Sequence, residues 1–272
     1  MTLTQNRQIL PQNIFGRGTD YMATLAPRIG VRSDQWFYVG MAVLFAVIAF
    51  GGFIPTYWAK MATGSFTGNP VMHVHGLFFF GWTLLYFTQT LLVATHRAPL
   101  HRSLGLLGIA LVSGMAFTVV LASINEIKVA EAIGVGDNAR RFVVVPLLAL
   151  PLFTGFFAAA IANVRRPELH KRLMILTMIP LMHAAIARVF MLLFAPPGAV
   201  GPPPVLVAVP PGFAALALLA IPMVHDWRRL GHVPRVYVIG GALMLAYTLL
   251  LVPVGNSTAW MTFAHAVESL AG

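Results

Sequence analysis

The sequence predicts an all-α polytopic membrane bundle of seven transmembrane helices, and three observations carry the prediction. Of its 272 residues, 58% are hydrophobic and only 10% charged, with a mean hydropathy of +0.80. Seven apolar runs each come close to the roughly 20 residues that a helix needs to cross hydrocarbon. Apart from four in the N-terminal segment and Arg188, the 18 Lys and Arg residues gather in the short stretches between those runs. A composition this apolar excludes a soluble enzyme. The net charge of +10 raises nucleic acid as a partner, but the basic residues form no binding stripe, so the expected partner is the lipid bilayer. With no cysteine in the chain, disulfides, thiolate metal sites and cysteine nucleophiles all fall away.

Residues 1–35 are polar, carry Arg7, Arg17, Arg28 and Arg32, and contain no apolar core. They read as a cytoplasmic N-terminal segment, not a secretory signal, with the first span as the insertion signal. A transmembrane domain over 36–255 then holds spans at about 36–58, 71–95, 103–124, 142–164, 173–195, 205–224 and 235–254. Pro202, Pro203, Pro204, Pro210 and Pro211 crowd the start of the sixth and predict a helix delayed by a turn or more. Residues 125–141 form the longest predicted loop and carry Glu126, Glu131 and Asp137. The tail, 256–272, is expected outside as a short interfacial helix with Trp260, Phe263 and Val267 on one side.

Orientation follows from the basic residues. Thirteen of the 18 lie in the N-terminal segment and in the turns after spans two, four and six. The opposite side has Lys60, Lys128, Arg140 and Arg141, and Arg188 falls within a span. The positive-inside rule therefore places the N-terminus in the cytoplasm and the C-terminus outside. On the inner side Leu100-His101-Arg102-Ser103-Leu104 and Leu169-His170-Lys171-Arg172-Leu173 share L-H-(R/K)-x-L, with a poorer copy at Gly231–Arg235. The pattern suggests three helical hairpins behind an added first span.

Span two has a polar-tipped face. His75, Phe79, Trp82, Tyr86, Gln89, Val93 and His96 recur at steps of four and three, which is one side of a helix. In hydrocarbon that stripe turns inward, leaving Leu77, Phe80, Leu84, Leu91 and Leu92 for lipid or packed neighbours.

Nine histidines make imidazole the expected ligand or proton carrier. His96, His101, His170, His225 and His232 sit beside basic residues at the inner ends and read as interfacial anchors touching anionic lipids. His75 and His183 are the candidate metal ligands, with His73 and Glu126 as alternates. On a helix His73 and His75 diverge by about 200° and cannot share an ion. His183 is mid-span, three residues after Pro180, and a bond to a serine hydroxyl or to the carbonyl freed by that proline competes with ligation. Arg188 can reach Glu126, Glu131 or Asp137, either as an ion pair or as the centre of an anion site.

The run H-V-H-G at His73–Gly76, followed by F-x-x-W and by T-H-R-x-P-L-H-R-x-L-G, with R-R-P-E-L-H-K-R-L later, resembles a group of uncharacterised bacterial multi-pass membrane proteins. The likeness covers spans two to five. It implies a bacterial inner (cytoplasmic) membrane location and no activity. In architecture alone, a histidine-bearing bundle also resembles b-type cytochromes.

Two functional classes follow, with a scaffold subunit as a third. In the first, bundle histidines hold haem b or another metal for electron transfer, membrane redox chemistry or cofactor assembly, with His75, His183, Trp82 and Tyr86 as the cofactor-binding set. The offset of roughly 10 Å in depth between His75 and His183 weighs against it. In the second, a transporter, receptor or lipid- or small-molecule-binding bundle works without a metal. No catalytic residue can be assigned, since H-E-x-x-H, G-x-S-x-G, phosphate loops and mid-span carboxylates are all missing from the sequence. Reporter fusions at residue 198 and at the C-terminus are expected to read as external; a cytoplasmic signal from either overturns the orientation.

Overall fold

The computed structural model describes the backbone of residues 17–270 and the side chains of residues 34–270. Most of the predicted N-terminal segment therefore lies outside the described side chains. Among the described residues, seven helices are long and apolar enough to cross a membrane, Asp34–Ala62, Pro70–Ala94, Ala98–Glu131, Gly136–Ala162, Pro167–Phe194, Val205–Leu230 and Arg235–Gly255. No strand occurs among the described residues. The protein is an integral membrane helix bundle.

Local chemistry sets the ends of the spans. Asn69 caps the second by accepting from the Val71 amide, and Pro70 occupies the first helical turn, where a missing N–H costs nothing. Pro55 lies toward the C-terminal end of the first span, and the helix widens there into a π-turn over Ile54–Trp58. The proline cluster acts on the sixth span as expected. A 3-10 turn, Val205–Ala208, precedes the α-helix, which starts at Val209 and breaks again before Ala220.

The predicted loop at 125–141 is corrected. The third span continues as helix to Glu131 and a new helix begins at Gly136, so Glu126 stands on a helix. The acids that looked like loop charges have a packing reason for that order. Arg140, buried against the last helix, Thr258–Ser269, bonds Glu131 at 2.8 Å, Asp137 at 2.9 Å and Glu268 at 2.9 Å. Trp260 donates its indole N–H to the Arg140 carbonyl at 2.8 Å. Trp260 and Val267 are buried as the amphipathic pattern required, whereas Phe263 is exposed.

Span five is the mast of the bundle. Of its most apolar window 56% is buried, against 28–39% for the other six. Spans one, four and six pack on it. Contact with span one is closest at Gly52, where a Cβ would collide with the Ala185 backbone. Gly240 on span seven plays the same part under Leu176. Close approach of this kind maximises dispersion contact where lipid offers no hydrophobic drive.

The stripe on span two faces inward over most of its length. Trp82 is 2% exposed and meets Phe153 and Phe157 edge to face at 5.6 and 5.5 Å. Tyr86 is buried beside Phe45, while Leu77 and Leu84 are exposed to the surroundings. Leu92 is buried and Phe80 packs among Phe50, Phe53 and Trp58, so those two met neighbours, not lipid. At the charged end the stripe fails: Val93 and His96 are exposed. Trp82→Ala is expected to cost about 3 kcal/mol and Leu84→Ala well under about 1 kcal/mol. Equal losses in a steric-trapping unfolding assay would place the wrong face inward.

Candidate functional site

The histidines proposed from sequence as one ligand set divide between two places. His183 lies against spans six and seven. Its Nε2 is 2.8 Å from the Ala208 carbonyl and its Nδ1 is 3.2 Å from the Tyr247 hydroxyl. A carbonyl can only accept, so Nε2 carries the proton; the single Tyr247 proton is shared between Nδ1 and the Val145 carbonyl at 3.0 Å. These partners are neither a serine nor the carbonyl freed by Pro180. The cavity beside His183, Gly212 and Thr248 measures about 10 Å³, too small for anything larger than one water.

His75 turns toward span three and Arg188 instead. His73 is elsewhere again, its Nδ1 2.9 Å from the Tyr57 hydroxyl and its ring against Phe66. With both nitrogens of His183 engaged and Trp82 and Tyr86 packed into aromatic core, the set His75, His183, Trp82 and Tyr86 does not outline a haem slot. The residues present do not fit a shared bis-histidine haem.

What the fold does assemble is His75, Glu126 and Arg188, from spans two, three and five. Arg188 sits about 9 Å inside the end of span five at Phe194. Its guanidinium lies 4.1 Å from the Phe53 ring centroid and donates to the Ala184 carbonyl at 3.3 Å. A guanidinium has five N–H donors. Its Nε is buried without a hydrogen-bond partner, and so is Nδ1 of His75. Glu126 attracts Arg188 across the site, yet among the described residues no carboxylate comes within 4.0 Å of it. The Arg188–Glu126 ion pair considered from sequence is therefore not closed. Phe79 covers His75, ring centroids 4.3 Å apart. His75 also bonds the Thr118 backbone. The result is a partly buried cation, an imidazole and a carboxylate around one unsatisfied guanidinium donor and one unsatisfied imidazole nitrogen, in a layer where water is scarce.

At the other end of the bundle the arrangement is the reverse, a dense ionic network. Asp34, 6% exposed, receives Lys171 at 2.5 Å, Arg229 at 2.7 Å and His225 Nε2 at 3.2 Å. Arg172 bonds Asp226 at 2.5 Å and Glu168 at 3.0 Å, and Lys171 bonds Glu168 at 2.8 Å. His225 stacks on Phe37 at 3.6 Å, nearly parallel. The sequence reading of His225, Lys171 and Arg172 as lipid anchors is thus corrected. They join spans one, five and six internally, while Arg97, Arg102 and Arg228 remain exposed. The two repeat histidines also meet, His101 and His170 edge to face at 6.4 Å.

Asp34, His225 and Asp226 present ligand atoms within 4.8 Å of one another, the geometry of a metal site. Electrostatics argues against one. Lys171 and Arg229 already neutralise Asp34 and Arg172 neutralises Asp226, so a divalent ion would enter among three cations. Sequence reasoning missed this network because its charges flank the apolar runs. The signal available was that Asp34, Glu168 and Asp226, three of only eight acids, all fall at span ends on the most basic side.

No protein-family model, curated protein or solved structure matches the chain. The network yields its own test. Asp226→Leu strands a buried guanidinium and is expected to cost about 3 kcal/mol, whereas Arg172→Met with Asp226→Leu recovers most of that loss. Unfolding of the two variants in the same detergent separates the outcomes; an equally unstable double variant would refute pair burial as the cause.

Proposed function

We propose that the protein is a metal-free small-molecule-binding bundle whose occupant carries a carboxylate, seated on Arg188 between His75, Glu126 and Phe53. The observation that carries the reading is the buried, unpartnered Nε of Arg188. A guanidinium held in hydrocarbon with one backbone acceptor is costly, and a planar carboxylate matches its fork with two parallel hydrogen bonds. Phe53 fixes the plane of that fork by stacking. Glu126 and the His75 Nδ1 then face the remainder of the occupant. The ionised Arg188 and Glu126 balance each other, which favours a zwitterion, or an anion that arrives with a proton, over a bare anion.

The haem alternative loses support from the partners of His183, and the scaffold alternative leaves the donors of Arg188 unexplained. Positive-inside bias would put the ionic network in the cytoplasm and the Arg188 site toward the outer face of a bacterial inner membrane. Exposed Arg97, Arg102 and Arg228, on the same side as the ionic network, suit anionic headgroups of the cytoplasmic leaflet.

Purified protein in detergent, titrated with lactate as an anion and glycine as a zwitterion, is expected to gain thermal stability by mass action. Arg188→Gln should abolish the gain and Arg188→Lys should keep only part of it, because an ammonium lacks the fork. No shift with either compound in the wild-type protein would refute the reading.

A further inference from the structure

Resting on the carboxylate reading of Arg188, we propose that the protein carries its occupant across the membrane, with Lys171, Arg229 and His225 forming a second anion site that the Asp34 carboxylate fills while that end is shut.

The two ends of the bundle repeat one constellation. Near one end a guanidinium, an imidazole and a carboxylate meet beside phenyl rings, in Arg188, His75, Glu126, Phe53 and Phe79. Near the other, Arg229 and Lys171, His225 and Asp34 meet beside Phe37. The difference is occupancy of the basic groups by a carboxylate. Asp34 is gripped as a bound acid would be, by donors from spans five and six, although it belongs to span one. At the Arg188 end no side chain plays that part.

The sites lie on one helix at opposite depths. Lys171 and Arg188 are about 25 Å apart along span five, most of the thickness of a hydrocarbon core. Between them several buried tips are polar: Thr177 and His183 are bonded within the bundle, the Tyr38 and Tyr237 hydroxyls interact with each other, and Trp82 Nε1 and the Tyr86 hydroxyl have no hydrogen-bond partner. Tyr38 is close enough to feel both other tyrosines, and the Lys171 ammonium lies 4.9 Å from its ring centroid. The tyrosine and tryptophan tips, on spans one, two and seven, lie between the depths of the two cationic sites and offer hydrogen-bonding groups to a polar solute in passage.

The charges also allow an exchange. Asp34, Glu168 and Asp226 balance Lys171, Arg172 and Arg229, so an arriving carboxylate can replace Asp34 without altering the sum inside the network. Asp34 lies within the helix of span one, and its release removes the ionic link from span one to spans five and six, leaving the ring contacts of Phe37 and Tyr38. The occupant is thereby its own key: only a group that satisfies Lys171 and Arg229 opens the end that they help to close.

Proteoliposomes of the full chain loaded with unlabelled lactate test transport by counterflow of labelled lactate. Wild-type protein is expected to accumulate label several-fold above empty vesicles, with the accumulation lost in Arg188→Gln. Thermal stabilisation by lactate without counterflow would overturn transport and leave the binding reading intact; loss of both would remove the binding reading itself. The second site has a separate readout. In Arg188→Gln lactate should no longer stabilise the protein, and adding Asp34→Asn should restore the stabilisation by freeing Lys171 and Arg229. A folded double variant that stays indifferent to lactate overturns the second site. Should Asp34→Asn not fold, Asp34→Glu decides instead: the longer carboxylate should still fill the site and keep counterflow, and loss of counterflow in folded Asp34→Glu would overturn the latch.

Discussion

A carboxylate on the first span holds the bundle together in a way that no apolar contact does. Lipid is as apolar as leucine, so the helices gain little from burying aliphatic surface against one another. Asp34 instead gives span one a fixed partner on span five through Lys171 and another on span six through Arg229 and His225. Removed from water, each charge depends on the others, and breaking one contact exposes the rest to desolvation. The depth of span five in the core and the tight seam at Gly52 are the apolar counterparts of that anchoring.

Against that closed end, the region around Arg188 is open in the chemical sense. Its charges interact at a distance, the Nε of its guanidinium lacks an acceptor, and the ring stacked on that guanidinium orients it without neutralising it. A bundle that needed only to be stable would gain from an apolar residue at this depth, since well-packed hydrophobic groups commonly equal or exceed buried ions in stability. The contrast between a satisfied end and an unsatisfied one gives the molecule a functional polarity from side-chain chemistry alone.

Much of this was legible in the sequence, for reasons that can be named. Span count followed from the length of apolar runs, because hydrocarbon thickness admits few alternatives. The inward face of span two followed from the spacing of Trp82 and Tyr86. The candidate site was half legible: His75, Glu126 and Arg188 could each be singled out, but the pairing of His75 with His183 could not be tested by spacing. His183 found its partners at Ala208 and Tyr247, on helices whose rotation no local pattern encodes. The network at Asp34 was missed for a related reason. A charge at a span end looks the same in sequence whether it snorkels to lipid or turns inward, and only the neighbour across the interface decides.

The clasp around Arg140 bears on how the chain comes to be assembled. Its partners Glu131 and Asp137 are near in sequence, but Glu268 belongs to the last described helix and the Trp260 indole that seals it comes from the same turns. Chains emerge from the N-terminal side, so spans three and four enter the membrane well before those residues are made. During that interval Arg140 is held by local acids only, and the junction of spans three and four stays loose. Closure of the clasp therefore waits for Thr258–Ser269, making that helix the element that locks the junction of spans three and four.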